Sequence, residues 1–219
     1  MPNKSLIYVG DPMCSWCYGF GVPLQALLQS LPDVPLNLVL GGLRAYNKEV
    51  MPDNLKATIH QHWDAVHKRS GKPFGTGQFD RAGYIYDTEP ACRAVVTIRN
   101  LAPSQTLVMY HAVQHAFYAL GHDITQTQVL ADIWQGIQTL QANKVPPQML
   151  LTRDEFVEAF ESDKMKMLTH VDFEQVQQWG IQGFPALIAV NGEQGHMVAN
   201  GYMEATDMLQ RVQAAFTSN

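Results

Sequence analysis

The sequence predicts an α/β fold in which an N-terminal β–α–β unit and a C-terminal α–β–β–α unit flank a long all-helical insertion. Three observations carry this. Two short apolar runs near the start are separated by a segment with helical periodicity. Residues 43–162 then show helical patterns without a strand signal. Two further apolar runs near the end flank a glycine-containing connection.

The first run, Ser5-Leu6-Ile7-Tyr8-Val9, is bounded by Gly10-Asp11-Pro12 and reads as a buried strand. Leu24, Leu27, Leu28 and Leu31 follow at helical spacing. Pro23 lacks an N–H and is expected to bend this helix, angling its first turn away from the buried remainder. The second strand is Pro35-Leu36-Asn37-Leu38-Val39-Leu40, closed by Gly41-Gly42. A strand–helix–strand unit of this length is a parallel crossover of right hand.

Within the insertion, a helix opens at Leu55 and continues through Trp63 and Val66. A turn-rich loop over 71–77 ends it, without the G-x-x-x-x-G-K-[ST] of a phosphate loop. Thr88 before Glu89-Pro90 predicts an N-cap, an acidic first turn and a tolerated early proline. Ala91, Val95, Ile98 and Ala102 form that helix's apolar face. The next helix, over 107–120, is closed by Gly121 and buries Met109, Val113, Ala116 and Leu120. That stripe places His111 and His115 on a solvated side. Val129, Leu130, Ile133, Ile137 and Leu140 mark a further helix, and Thr152 with Glu155 has the spacing of a capping box ahead of Phe156, Ala159 and Phe160. Strands over 185–190 and 196–200 flank a five-residue hairpin connection over 191–195. The last helix starts near Glu204 and carries Met208, Leu209, Val212 and Phe216. Residues 1–42 and 163–219 are thus expected to form one discontinuous domain, with 43–162 as an inserted helical domain.

Composition narrows the function classes. The chain has 219 residues, 46% hydrophobic and 16% charged, with a net charge of −5 and no basic run. Nucleic acid and anionic membrane surfaces are poor partners for it. No segment approaches the ~20 apolar residues of a membrane span. Met1-Pro2-Asn3-Lys4 leads straight into the first strand and leaves no room for a secretory leader. Three cysteines, two of them in one motif, are not a disulfide framework. A cytoplasmic location is expected.

The chemistry centres on Asp11-Pro12-Met13-Cys14-Ser15-Trp16-Cys17-Tyr18. A C-x-x-C between a strand and a helix is the setting of a dithiol/disulfide pair. Cys14 falls at the helix N-terminus, where unpaired N–H groups and the macrodipole favour a thiolate. Cys17, one turn deeper, can close a disulfide with it. Cys14 is therefore the expected nucleophile and Cys17 the resolving thiol. The spacer Ser15-Trp16 carries no cation. Trp16 is either a substrate-facing surface or a cover over the disulfide. Asp11 is a proton relay or a turn residue before Pro12. Cys92, at the edge of an apolar face, is expected to be buried and inert. A zinc site would need two more ligands, and Cys92 and the His111/His115 pair are poorly disposed to supply them, so no metal is expected.

The β–α–β unit with C-x-x-C on its helix, and the terminal ββα, resemble the thioredoxin fold. The helical insertion is similar to that of the DsbA family. The D-P-x-C-x-W-C-Y pattern of Asp11, Pro12, Cys14, Trp16, Cys17 and Tyr18 resembles the FrnE-like branch of cytosolic disulfide oxidoreductases. Residues 86–93, from Tyr86 through Thr88 and Cys92 to Arg93, resemble a stretch of bacterial protein-disulfide isomerases of this group. Gly183-Phe184-Pro185 is similar to the family's cis-proline loop. The resemblance implies a thiol–disulfide oxidoreductase or isomerase acting on protein or small disulfides. It implies no cofactor beyond the Cys14–Cys17 disulfide, with glutathione as a candidate co-substrate. It also implies a cis Pro185 beside Cys14 and a substrate groove formed by Trp16, Phe184 and Pro185. Two other readings stay open. Kappa-class glutathione transferases and 2-hydroxychromene-2-carboxylate isomerases are similar in architecture, but a serine replaces the first cysteine there. A non-catalytic, chaperone-like module could instead use the helical insertion to hold unfolded chains.

Overall fold

Strand β1 spans Lys4–Gly10 and sits inside a four-stranded sheet, which explains its near-continuous apolar character. The computed structural model describes residues 4–75, 77, 79, 81–141 and 151–217. Helix α1 (Ser15–Ser30) returns the chain to β2 (Leu36–Leu40), which pairs parallel to β1 with Leu6 opposite Leu36. The insertion follows as α2 (Asp53–Ser70), α3 (Glu89–Leu101), a 3₁₀ turn (Pro103–Gln105), α4 (Thr106–Tyr118), α5 (Thr127–Gln141) and α6 (Arg153–Glu161). Then α7 (Asp163–Gln178) leads to β3 (Ala186–Asn191), β4 (Gln194–Asn200) and α8 (Ala205–Thr217). The strand order is β2-β1-β3-β4, with β3 antiparallel to both its neighbours. This is a thioredoxin-like fold with a helical insertion.

Alternation along β1 divides the two faces of the sheet. Leu6 and Tyr8 enter the main core with Phe20, Leu24 and Leu27 of α1 and with Met208 and Val212 of α8. Ile7 and Val9 turn the other way, into a smaller cluster with Val39, Val176 of α7, Ile181, Phe184 and Ala186. The main core continues without a break into the insertion, through Val95, Tyr110, Phe117, Trp134 and Phe156. Asp172 of α7 fastens the β2 side. Its carboxylate accepts from both Arg99 guanidinium nitrogens, at 2.7 and 2.8 Å, and from the Leu40 backbone N–H at 2.8 Å. Arg99 also donates to the Leu38 carbonyl at 2.7 Å.

Several elements depart from the sequence reading. Thr88 stands at the N-cap of α3, but its side chain makes no cap hydrogen bond; its hydroxyl accepts from the Arg44 N–H instead. Helix α4 ends at Tyr118, two residues early, and Leu120 lies exposed beside the left-handed Gly121. His111 is half-buried rather than solvated, because α4 is enclosed on most sides. Its ring packs on α1 at Gly21, its Nδ1 lies 3.3 Å from Gln114 Oε1, and burial lowers its pKa. The buried face of α5 centres on Trp134, flanked by Leu130, Ala131 and Ile137, which leaves Leu140 exposed. The terminal hairpin turns in two residues, since pairing runs out to Asn191 and Gln194 around Gly192 at φ 64°. The capping box is present as expected, with Thr152 and Glu155 each bonding the other's backbone N–H.

Candidate dithiol site

Cys14 occupies the N-cap of α1 in extended conformation. Its N–H donates to the Asp11 carbonyl at 3.1 Å, and its own carbonyl accepts the first helical bond, from Tyr18, at 3.1 Å. Cys17 follows one turn deeper. The two residues are both buried but differ in degree: Cys14 retains 7% exposure and Cys17 none. Both are free thiols. The Cys14 thiol donates to the Phe184 carbonyl at 3.6 Å, across 170 residues of sequence. Antiparallel pairing of β1 with β3 creates this approach, because it sets the start of β3 beside the end of β1.

The Phe184–Pro185 peptide bond is cis. Pro185 is buried, and its carbonyl accepts from Gly201 N–H at 2.7 Å, tying this loop to the segment that precedes α8. The half-buried ring of Phe184 belongs to the smaller cluster and lies over Gly41, where a Cβ would come within 2.1 Å of it. What Phe184 turns toward Cys14 is its backbone carbonyl. Trp16 is half-buried and meets Tyr202 edge-on at 6.0 Å. Together with Ala65, Lys68 and Arg69 these two rings line a solvent-open cleft of about 470 Å³.

Beneath the dithiol lies a polar layer that sequence reasoning resolved only in part. Asp11 is wholly buried. One carboxylate oxygen accepts from Met13 N–H at 2.7 Å, and the other from Leu43 N–H at 2.7 Å and the Cys92 thiol at 3.4 Å. Burial raises the pKa of Asp11, and these donors, with the Thr88 hydroxyl, offset part of that rise. Asp11 thus joins the cysteine loop, the start of the insertion and α3. Cys92 is buried as expected, and its thiol donates to this carboxylate. Burial also pushes the Cys92 thiol up.

Three tyrosines complete the layer. The Tyr8 and Tyr110 hydroxyls lie 3.2 Å apart, and Tyr110 donates to the Asp11 carbonyl at 3.3 Å. The Tyr86 hydroxyl donates to the Met13 carbonyl. Gly10 leaves room for this arrangement: a Cβ there would sit 2.5 Å from the Tyr110 oxygen. Burial pushes the Cys17 thiol well up, and the adjacent Cys14 adds to the rise. The Asp11 backbone and the Tyr8 hydroxyl oppose it. The strand alternation that put Tyr8 on the core face was the available signal for this layer. Tyr86 was marked only by the family resemblance of residues 86–93, and Tyr110 carried no signal, since its partners are remote in sequence.

Among the described residues no group of three or more His, Cys, Asp or Glu is placed to hold a metal ion. No described helix is long and apolar enough to cross a membrane.

Neither a protein-family model nor a curated protein matches the chain. Solved structures do. A candidate protein disulfide isomerase from Nitrosomonas europaea is 31% identical, with 97% of each chain covered and a TM-score of 0.84. The cytosolic disulfide reductase DsbM from Pseudomonas aeruginosa is 21% identical over 96% of this chain and 98% of its own, with a TM-score of 0.74. DsbM has also been solved with GSH. The oxidoreductase DsbA from Xylella fastidiosa shares the fold at 14% identity and a TM-score of 0.61, over 99% of this chain and 86% of its own. With a C-x-x-C at the head of α1, a thioredoxin-like sheet and a 31% identical relative matched along nearly its whole length, the chain belongs to the DsbA family of thioredoxin-fold disulfide oxidoreductases.

Proposed function

We propose that the protein exchanges disulfides with protein or small-thiol substrates through Cys14 and Cys17, as an oxidoreductase or isomerase acting in the cytoplasm. The observation that carries this is the asymmetry of the pair: Cys14 keeps a small residual exposure at a helix start, and Cys17 lies wholly buried one turn below it. In the reducing direction, Cys14 as thiolate attacks a substrate disulfide, forms a mixed disulfide and releases the first substrate sulfur as a thiolate. Cys17 as thiolate then attacks the Cys14 sulfur, closes the Cys14–Cys17 disulfide and releases the second. Two electrons pass from the dithiol to the substrate, and the two thiol protons end on the released thiols or in solvent. The oxidising direction is the reverse.

The Phe184 carbonyl supports a role in substrate pairing. Once Cys14 is in a mixed disulfide it has no proton to donate, and the carbonyl is free to accept an N–H from an extended substrate segment. Pro185 fixes that loop, and Trp16, two residues after Cys14, supplies a half-buried aromatic surface. DsbM's structure with GSH supports glutathione as a small-thiol co-substrate. The test is reduction of oxidised glutathione and of a protein disulfide by the reduced protein. Cys14→Ser is expected to lose at least ~100-fold in rate, as removal of a nucleophile does. Wild-type rates in Cys14→Ser would overturn the proposal.

A further inference from the structure

Tyr8 on β1 and Tyr110 on α4 are both fully buried, and neither takes part in the exchange steps set out above. Their hydroxyls lie 3.2 Å apart beside the backbone of Gly10, where a Cβ would come within 2.9 Å of the first and 2.5 Å of the second. The Tyr8 ring stacks on Phe20 at 5.6 Å, and Phe20 follows Cys17 by three residues on the same face of α1. The Tyr8 hydroxyl is a hydrogen-bonding neighbour of the Cys17 sulfur. The other titratable groups that bear on Cys17 are Cys14 on α1 and Tyr110 and Tyr118 on α4, and none of them is a cation. The Asp11 carboxylate is turned instead to Met13, Leu43 and Cys92.

The number of protons fixes the direction of these bonds, because a hydroxyl has one proton to donate. Tyr110 gives its proton to the Asp11 carbonyl at 3.3 Å, so Tyr8 is the donor of the 3.2 Å link. The Tyr8 oxygen is then left to accept from the Cys17 S–H. With Cys17 as thiol, three protons serve three links in one direction: Cys17 to Tyr8, Tyr8 to Tyr110, and Tyr110 to Asp11. With Cys17 as thiolate two protons remain, and a buried anion is the costliest acceptor to leave unserved. The Tyr8 proton therefore turns to the sulfur and the Tyr110 proton to Tyr8. The Asp11 carbonyl gives up the Tyr110 bond and keeps the Cys14 N–H at 3.1 Å.

We infer that Tyr8 is a catalytic residue of the resolving step, its hydroxyl donating to the Cys17 thiolate, with Tyr110 as the rotor behind it. The inference rests on the dithiol chemistry proposed above. In the mixed disulfide, the Cys17 S–H loses its proton to the released substrate thiolate or to solvent. The Tyr8 proton swings to the sulfur without leaving its oxygen. The thiolate attacks the Cys14 sulfur, the Cys14–Cys17 bond forms, and the second substrate sulfur leaves with the electron pair of the broken bond. Neither tyrosine changes its oxidation or protonation state, and as charge leaves Cys17 both hydroxyls turn back toward Asp11.

The experiment follows, across pH, the mixed disulfide that Cys14 forms with bis(2-hydroxyethyl) disulfide in the reduced wild type, Tyr8→Phe and Tyr110→Phe. Tyr8→Phe keeps the ring on Phe20 and removes the donor. The Cys17 thiolate fraction should fall about tenfold, as for loss of one hydrogen bond to a charged group. An unassisted thiolate is the stronger nucleophile, so decay should slow only about threefold where it still climbs with pH. Its levelling-off should come about one pH unit later. Tyr110→Phe should act in the opposite direction. It takes away the acceptor on α4 and leaves the Cys17 sulfur as acceptor for the Tyr8 proton, which favours the thiolate, so decay should quicken about twofold. The first step, adduct formation on Cys14, should stay within about twofold in all three proteins. Lost packing would slow both variants, so decay slowed in both, or unchanged in Tyr8→Phe, overturns the inference. Should Tyr8→Phe not fold, Tyr110→Phe decides alone: faster decay supports the donor, and slower or unchanged decay overturns it. A wild type that forms no adduct on Cys14 contradicts the dithiol chemistry itself.

Discussion

Cys17 is wholly buried, and burial is the largest cause of its raised pKa. The neighbouring Cys14 adds to the rise in the reduced protein. In a mixed disulfide Cys14 carries neither proton nor charge, so burial remains as the dominant influence. The thiol is the uncharged form and burial favours it. At neutral pH the resolving step therefore draws on a smaller thiolate fraction than an ordinary cysteine offers. The expected outcome is that decay of the mixed disulfide quickens roughly tenfold per pH unit up to and beyond the usual thiol range of about 8.5. Rapid-quench mass spectrometry of the intermediate across pH measures it, and a rate flat below neutrality would mean an acidic Cys17. The same residue scale explains Asp11. A buried carboxyl costs free energy unless its oxygens are occupied, and here two backbone N–H groups and a thiol occupy them. Asp11 is thus the turn residue expected before Pro12, through the Met13 N–H, and its other oxygen ties that turn to Leu43 and Cys92. It holds in place the loop that presents Cys14.

Among the elements, α3 and α7 fix the open edge of the sheet through Arg99 and Asp172. Asp172 is nearly buried and Arg99 mostly so, with side-chain exposures of 10% and 29%. Replacing Arg99 with Met leaves the carboxylate with only the Leu40 N–H. The expected loss is about 2–3 kcal/mol, below the ~3–5 kcal/mol of fully enclosed pairs because water reaches the arginine. Urea denaturation measures it, and Arg99→Met with Asp172→Leu should recover part of the loss. A single variant as stable as the wild type would contradict the role given to this pair. Local signals made most elements legible. The helix-periodic runs, the Thr152–Glu155 capping box and the glycines at 71 and 121 marked real helices and ends. The failures had remote causes. Thr88 looks like a cap, but its hydroxyl is taken by Arg44, 44 residues away. His111 looks solvated on a helical wheel, yet a second helix covers that side at Gly21.

At the scale of the molecule, the fold brings Cys14 to Phe184 and Trp16 to Tyr202, which no local pattern encodes. The first approach was legible through Gly183-Phe184-Pro185 ahead of a terminal ββα, because the thioredoxin plan sets that loop against the dithiol. The cleft was not legible, since Trp16, Lys68 and Tyr202 come from three separate segments. The tyrosine layer was hidden for the same reason: the insertion supplies Tyr86 and Tyr110 to a loop at the start of the chain. The insertion thus shares its core with the catalytic half and holds the floor of the site. The account's central claim is that Cys14 receives the substrate and Cys17 resolves it. Intact-mass and peptide mapping of reduced Cys17→Ser and Cys14→Ser, each mixed with bis(2-hydroxyethyl) disulfide, tests this most directly. The account predicts a single stable adduct on Cys14 in Cys17→Ser and no adduct on the buried Cys17 of Cys14→Ser over the same interval. An adduct forming on Cys17 as fast as on Cys14 would contradict it.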